Sequence, residues 1–139
     1  MEKNLYRGKR KKDGQFVEGY YVFQDVEVGD KETHHFVLTH DQFGFSWHKV
    51  APSTVGQYTG LKDKNGKRIF EGDIIQTAEY GRESSGKNYS GKDTFYVRYE
   101  HGNFCIENFT RRFSLKYNKK MEIIGNIHDN PELLDIADG

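Results

Sequence analysis

Cysteine occurs once, proline twice, and no stretch approaches the ~20 consecutive apolar residues that a membrane span needs. The lone Cys105 excludes an intrachain disulfide and fits a reducing compartment. The opening run MEKNLYRGKRKKDG has no apolar segment of the kind a signal peptide carries. Together these absences lead to the expectation of a soluble, cytoplasmic protein with no membrane partner. An excess of charge of either sign is lacking too. The 21 basic and 21 acidic residues balance to a formal charge of zero, which argues against a surface that attracts polyanions all over. There is no internal repeat and no heptad pattern.

Aromatic residues are plentiful by contrast, with ten Phe and nine Tyr. Each buries a large area, so a modest core is feasible although apolar content is low. Fifteen glycines among β-branched and aromatic residues favour strands over helices. The stretch Thr54 to Ile75, TVGQYTGLKDKNGKRIFEGDII, organises the rest. Asn65-Gly66 lies at its centre between apolar arms at Leu61 and Ile69-Phe70. That dipeptide predicts a hairpin with a type I′ turn, in which both residues hold positive φ. Gly72 reads as a tight turn into the strand at Ile74, and Asp73 as a residue whose carboxylate satisfies backbone donors there.

Turn signals recur at Asp13-Gly14, Gly29-Asp30, Gly44 and Pro52, which suggests an antiparallel meander rather than βαβ units. Strands are predicted at Leu5–Gly8, within Phe16–Val28, at His35–Thr39 and within Phe43–Val50. A boundary near Pro52-Ser53 gives two regions, 1–52 and 53–139. Beyond Ile74, the run Gly81 to Asp93 reads as a long mobile loop. Thr94–Glu100 and Phe104–Phe109 form a second hairpin around Gly102-Asn103, and Met121–Ile127 is the last strand. Asn130-Pro131-Glu132 starts a helical turn, with Asn130 as N-cap and Pro131 at the first helical position.

Three runs resemble the YopX family, small proteins found in bacteriophages and prophages. The central stretch is one. Tyr6-Arg7-Gly8-Lys9-Arg10 with Asp13 to Gly19 resembles the family's opening, and Ile123 to Leu134, IIGNIHDNPELL, its close. They stand in order and span nearly the whole chain. The resemblance implies an N-terminal β unit followed by a small SH3-like barrel in a protein of the bacterial host cell. It implies no catalytic residues.

Candidate chemistry is sparse. The glycines lack the GxxxxGK[ST] spacing of a phosphate loop and no helix follows them. His34 and His35 point to opposite faces of a strand, and His40, His48, His101 and His128 show no zinc-type spacing. Cys105 near His101 has no third group to orient a nucleophile, and it reads as a small buried hydrophobe. Glu71 and Asp73 are read as turn residues. No metal, cofactor or enzymatic activity is expected. Two basic clusters remain: Arg7, Lys9, Arg10, Lys11 and Lys12, and Arg111-Arg112 with Lys116, Lys119 and Lys120. With Tyr6, Phe16, Tyr20 and Tyr21 nearby, they form a candidate nucleic-acid surface.

The expected protein is therefore mainly β, a meander followed by a small SH3-like barrel with a short C-terminal helical turn. The expected function is that of a non-enzymatic phage accessory protein, binding a protein partner or itself. A nucleic-acid-binding module using the basic clusters is the alternative.

Overall fold

The computed structural model describes residues 4–25, 33–77, 93–109, 111–117 and 120–137. Among them are eleven strands, one 3-10 turn and one short helix, so the mainly β reading holds. The chain divides into two compact units, Met1–Tyr58 and Thr59–Gly139. The expected junction at Pro52-Ser53 falls in a 3-10 turn, Pro52–Thr54.

The first unit is the predicted meander. Its strands are β1 (Tyr6–Lys9), β2 (Phe16–Asp25), β3 (Thr33–Asp41), β4 (Gly44–Lys49) and the start of β5 (Gly56–Lys62). They lie in the order β4-β3-β2-β1-β5, all antiparallel. Asp41 accepts the Phe43 N–H at 2.8 Å and tightens the β3–β4 turn. The end of the meander folds back on its beginning. Arg10 bridges Val50, the Lys11 N–H donates to Lys49 O, and the Ala51 N–H donates to Lys9 O, both at 2.9 Å. Two glycines permit this curl. A Cβ on Gly8 would lie 3.0 Å from Val50 Cβ, and one on Gly19 only 2.2 Å from the Leu38 carbonyl oxygen. Val37 and Val50 are fully buried on the inner side.

The second unit holds the rest of β5, then β6 (Arg68–Phe70), β7 (Asp73–Thr77), β8 (Asp93–Glu100), β9 (Asn103–Glu107), β10 (Arg112–Ser114), β11 (Glu122–Asn126) and α1 (Glu132–Ala137). Five of them form a sheet in the order β10-β9-β8-β7-β11. Ile69, Ile75, Phe95, Val97, Ile106 and Met121 make its buried core, with Leu61, Phe113 and Ile123 packed against them. This sheet is open. The SH3-like barrel is not closed, because β11 returns beside β7 and β10 spans three residues, too short to close a barrel seam. The run 81–92 of the expected loop lies outside the described residues; Asp93 opens β8.

Local chemistry corrects three turn expectations. Gly66 has φ +80°, but Asn65 does not have positive φ. The Gly66 N–H donates to Asp63 O at 3.0 Å, and the Asp63 N–H to Lys67 O at 2.8 Å. This is a type I turn with a left-handed glycine, the usual three-residue hairpin. It wins because the Asp63 carboxylate rewards it, accepting the Asn65 and Lys67 N–H groups at 2.9 and 3.0 Å. Positive φ at two successive residues is instead found in the β8–β9 hairpin, at His101 (52°) and Gly102 (83°), one residue earlier than the turn expected at Gly102-Asn103. Finally, the Asn130 side-chain oxygen turns back to the Asn126 N–H at 3.3 Å. The helical turn starts instead with the Leu133 N–H bonding Asn130 O.

Asp63 reaches further. It is 5% exposed, and its second oxygen accepts the Ile123 N–H at 3.0 Å. Burial pushes this carboxyl up, but the three N–H donors and the charge of Lys67 outweigh it and hold it below its ordinary 3.8.

Two tests follow from these turns. Gly66→Ala should cost about 1 kcal/mol through strain at positive φ, whereas Asn65→Ala should change stability by less than about 0.5 kcal/mol. Equal losses in urea unfolding would restore the I′ turn. Asp63→Asn should cost about 1–3 kcal/mol at neutral pH by setting a donor against buried N–H groups. Because the folded carboxyl is depressed, its contribution is present above 3.8 and is lost as pH falls through the lower folded value. The difference between natural chain and variant should therefore shrink in acid. A difference that stays constant would mean that the carboxylate is not what holds the hairpin.

Candidate functional site

Cross-strand partners share a face of a sheet, so the register of the first unit sorts its side chains. The outer face carries the rows Tyr20–Leu38–Trp47 and Val22–Phe36–Lys49, the pair His40–Phe45, and at its far side Arg7–Glu18 and Lys9–Phe16. The inner face carries Tyr6, Tyr21, His35, Val37, His48 and, 63% exposed, Phe23. Tyr21 stacks on His35 and hydrogen-bonds its Nδ1, while the Thr39 hydroxyl bonds His48 at 3.0 Å. His34 and His35 therefore do face opposite ways.

The outer face leaves its rings in solvent. Tyr20 is 49% exposed, Trp47 52% and Phe45 62%, and Phe43 stands at the hairpin tip beside them. Single exposed aromatics are ordinary; here three share one face. Phe36 meets Trp47 edge-on with ring centres 5.4 Å apart, and His40 packs on Phe45 at 4.6 Å. These contacts hold two of the three rings. At the far side Arg7 and Lys9 lie 4.4 and 5.4 Å from the centre of the Phe16 ring. Of the aromatics expected near the basic run, Phe16 and Tyr20 share its face; Tyr6 and Tyr21 face inward.

The predicted basic residues divide. Arg10 is held by Asp13, its Nε donating at 3.0 Å, while Lys11 and Lys12 are exposed in the β1–β2 turn. The bond from Lys11 to Lys49 O brings in Lys49, a residue that sequence reasoning missed. Its only signal was its place at the end of a strand. In the second unit Arg111 bonds Asp93 at 3.4 Å, and Arg112 bonds Glu107 at 3.2 Å and also Glu100. Neither arginine is presented to a phosphate.

Those bonds belong to a polar network on the face of β8, β9 and β10 that looks away from the core. The Tyr96 hydroxyl and Arg98 both donate to Glu107, at 2.6 and 2.7 Å. They keep its carboxyl below the usual value, against the effect of burial. Cys105 pairs with Arg98 across the strands and is half-buried in this network rather than in the apolar core. The misreading came from alternation: Phe104 and Ile106 flank it, but the face inverts at each residue. Burial, and then the Glu107 carboxylate, push its thiol above 9.0, with Arg98 opposing. A raised thiol is a poor nucleophile. Among the described residues no group of three or more His, Cys, Asp and Glu is arranged to hold a metal ion, and no helix is long and apolar enough to cross a membrane.

The remaining predicted residues are structural. Asp73 is buried and accepts the Phe70 N–H at 2.7 Å. Gly72, at φ +93°, donates to Val97 O and accepts the Ile127 N–H, both at 2.8 Å. A side chain there would meet His128. The central and closing runs of the sequence thus lock together through Asp63, Gly72 and the pairing of β7 with β11.

Comparison with known proteins agrees with the architecture. The family described as YopX protein matches residues 5–135. No curated protein matches. Among solved structures, that of protein EF1440 from Enterococcus faecalis is similar, at 24% identity over 93% of this chain and 96% of that one, with a TM-score of 0.50. At that identity the likeness shows the fold alone.

The thiol gives a direct test of the network. Alkylation of Cys105 by iodoacetamide near pH 8 should be slower than that of an unstructured cysteine, and Glu107→Gln should speed it by removing the carboxylate that raises the thiol. A natural chain that reacts as fast as a free thiol would contradict this geometry.

Proposed function

The chain belongs to the YopX family, and on that premise we propose a non-enzymatic binding protein, a bacteriophage or prophage accessory whose contact surface is the outer face of the first unit. One observation carries the reading: Tyr20, Phe45 and Trp47 stand about half or more exposed together on one face. Aromatic side chains concentrate in binding surfaces because each offers a large, rigid contact area. In the second unit Tyr96, Arg98 and Arg112 all bond the Glu107 carboxylate on a sheet face. This supports an ion-pair network rather than acid–base chemistry.

Aromatic area alone suits a protein partner or a second copy of the chain. The cations beside it favour another occupant, a nucleic acid. Arg111 and Arg112 of the second unit lend that occupant no support, since both are engaged by carboxylates.

Affinity capture from phage-infected bacteria, with and without nuclease, tests the surface. The bait is the natural chain or the double variant Phe45→Ser, Trp47→Ser. Associated macromolecules should be lost with the variant while its melting midpoint stays within a few degrees of the original. Equal capture by both baits would remove the outer face from consideration.

A further inference from the structure

We propose that the outer face of the first unit binds single-stranded nucleic acid, with bases stacked on Tyr20, Phe45 and Trp47 and phosphates held at a corner formed by Lys11, Lys12 and Lys49. This rests on the reading of that face as the contact surface and names its occupant.

The corner is a product of the fold. The Lys11 N–H donates to Lys49 O at 2.9 Å and Arg10 bridges Val50, so two basic positions far apart in sequence become neighbours. All three lysines are exposed; Lys12 feels the charge of the neighbouring Asp13, a carboxylate that also pairs with Arg10. Asp13 is held by Arg10, and Glu18 lies across from Arg7. The corner is thus locally positive in a chain whose formal charge is zero.

The rings sit where bases can reach them. Tyr20 and Trp47 occupy one row with Leu38 between them, two interstrand spacings or about 10 Å apart. They cannot stack on each other, so each offers its ring to a separate base. Lys49 follows Trp47 two residues on along β4, on the same face. A positive edge that tracks phosphates beside rings that take bases is the arrangement that binds single strands irrespective of sequence. A protein partner suits it less well, because lysines are depleted at the centres of protein interfaces. A duplex suits it less too. Its bases are stacked inside, and the major groove is read by a helix or a two-stranded ribbon, not by the outer face of a curled sheet.

Trp47 is the only tryptophan in the chain, so its fluorescence reports stacking directly. The probe is a fluorescein-labelled oligothymidylate of about 12 nucleotides, within the usual site size for a small β unit, with an RNA counterpart and a duplex for comparison. At low salt the single strands should raise the anisotropy and quench Trp47, and the duplex should bind more weakly. Tyr20→Ser and Phe45→Ser should each weaken binding about tenfold or more. Replacing Lys11, Lys12 and Lys49 by Ala should flatten the log–log salt dependence by about 2, at roughly 0.7 per phosphate contact on a single strand. Trp47→Phe should keep binding, showing that a ring and not a fold effect is required.

Absence of binding at tens of micromolar protein, on the order of ordinary non-specific affinity, would overturn the proposal. So would quenching that is unaltered in the triple lysine variant, or equal affinity for the duplex. Sedimentation separates the two levels of the reading. If the natural chain self-associates, Phe45→Ser disperses it and no oligonucleotide binds, the contact surface stands and its nucleic-acid occupant falls. If Phe45→Ser and Tyr20→Ser alter neither association nor oligonucleotide binding, both fall.

Discussion

The Asp63 carboxylate is the constraint on which the second unit depends. It is buried, yet it stays charged because three backbone N–H groups point at it, two from its own hairpin and one from Ile123, 60 residues on. A single anion thereby fixes the shape of a turn and the position of the strand beyond it. Lys64 adds a second tie, its N–H donating to Met121 O at 2.8 Å. Met121 and Ile123 are then seated against Ile75 and Ile69 in the core. A protonated or amidated Asp63 would leave one of those N–H groups facing a donor in a site closed to water, which is more costly than a missing surface bond.

The first unit is held by a different device. It has no buried carboxylate of this kind among the described residues. Glycine at positions 8 and 19 lets the sheet curl until Arg10 and Val50 meet. The curl buries Val37 and Val50 on its inner side, where Tyr21 stacks on His35, and leaves Tyr20, Phe45 and Trp47 on its outer side. The same backbone contact that finishes the curl sets Lys49 beside Lys11. Packing and surface chemistry in this unit therefore have one cause.

Much of the strand pattern was legible because it is local. Turn residues and alternating runs located the hairpins, and Asp73 and Gly72 do the backbone work their types imply. The Asn65-Gly66 turn was misjudged because the residue that decides it, Asp63, acts through its side chain from outside the dipeptide. The open second sheet was hidden for a related reason. Whether the sheet closes depends on which strand β11 pairs with, and its pairing with β7 is a non-local choice. The basic run Arg7 to Lys12 was visible, but not that Asp13 withdraws Arg10 from it. Nor does sequence proximity reveal Lys49, whose place in the corner depends on a bridge spanning the whole meander. The aromatics showed themselves by number; only the register shows which of them point outward.

Gly19 has a consequence for how such a surface can change over generations. A side chain there would collide with the backbone oxygen of Leu38, so the position is closed to every other amino acid unless β3 moves away. Tyr20 is its immediate neighbour in the chain, half exposed and free of any such obstruction. The frame and the display are therefore separately inherited: descendants can exchange the exposed rings one at a time while the curl beneath them is kept by a missing methyl group.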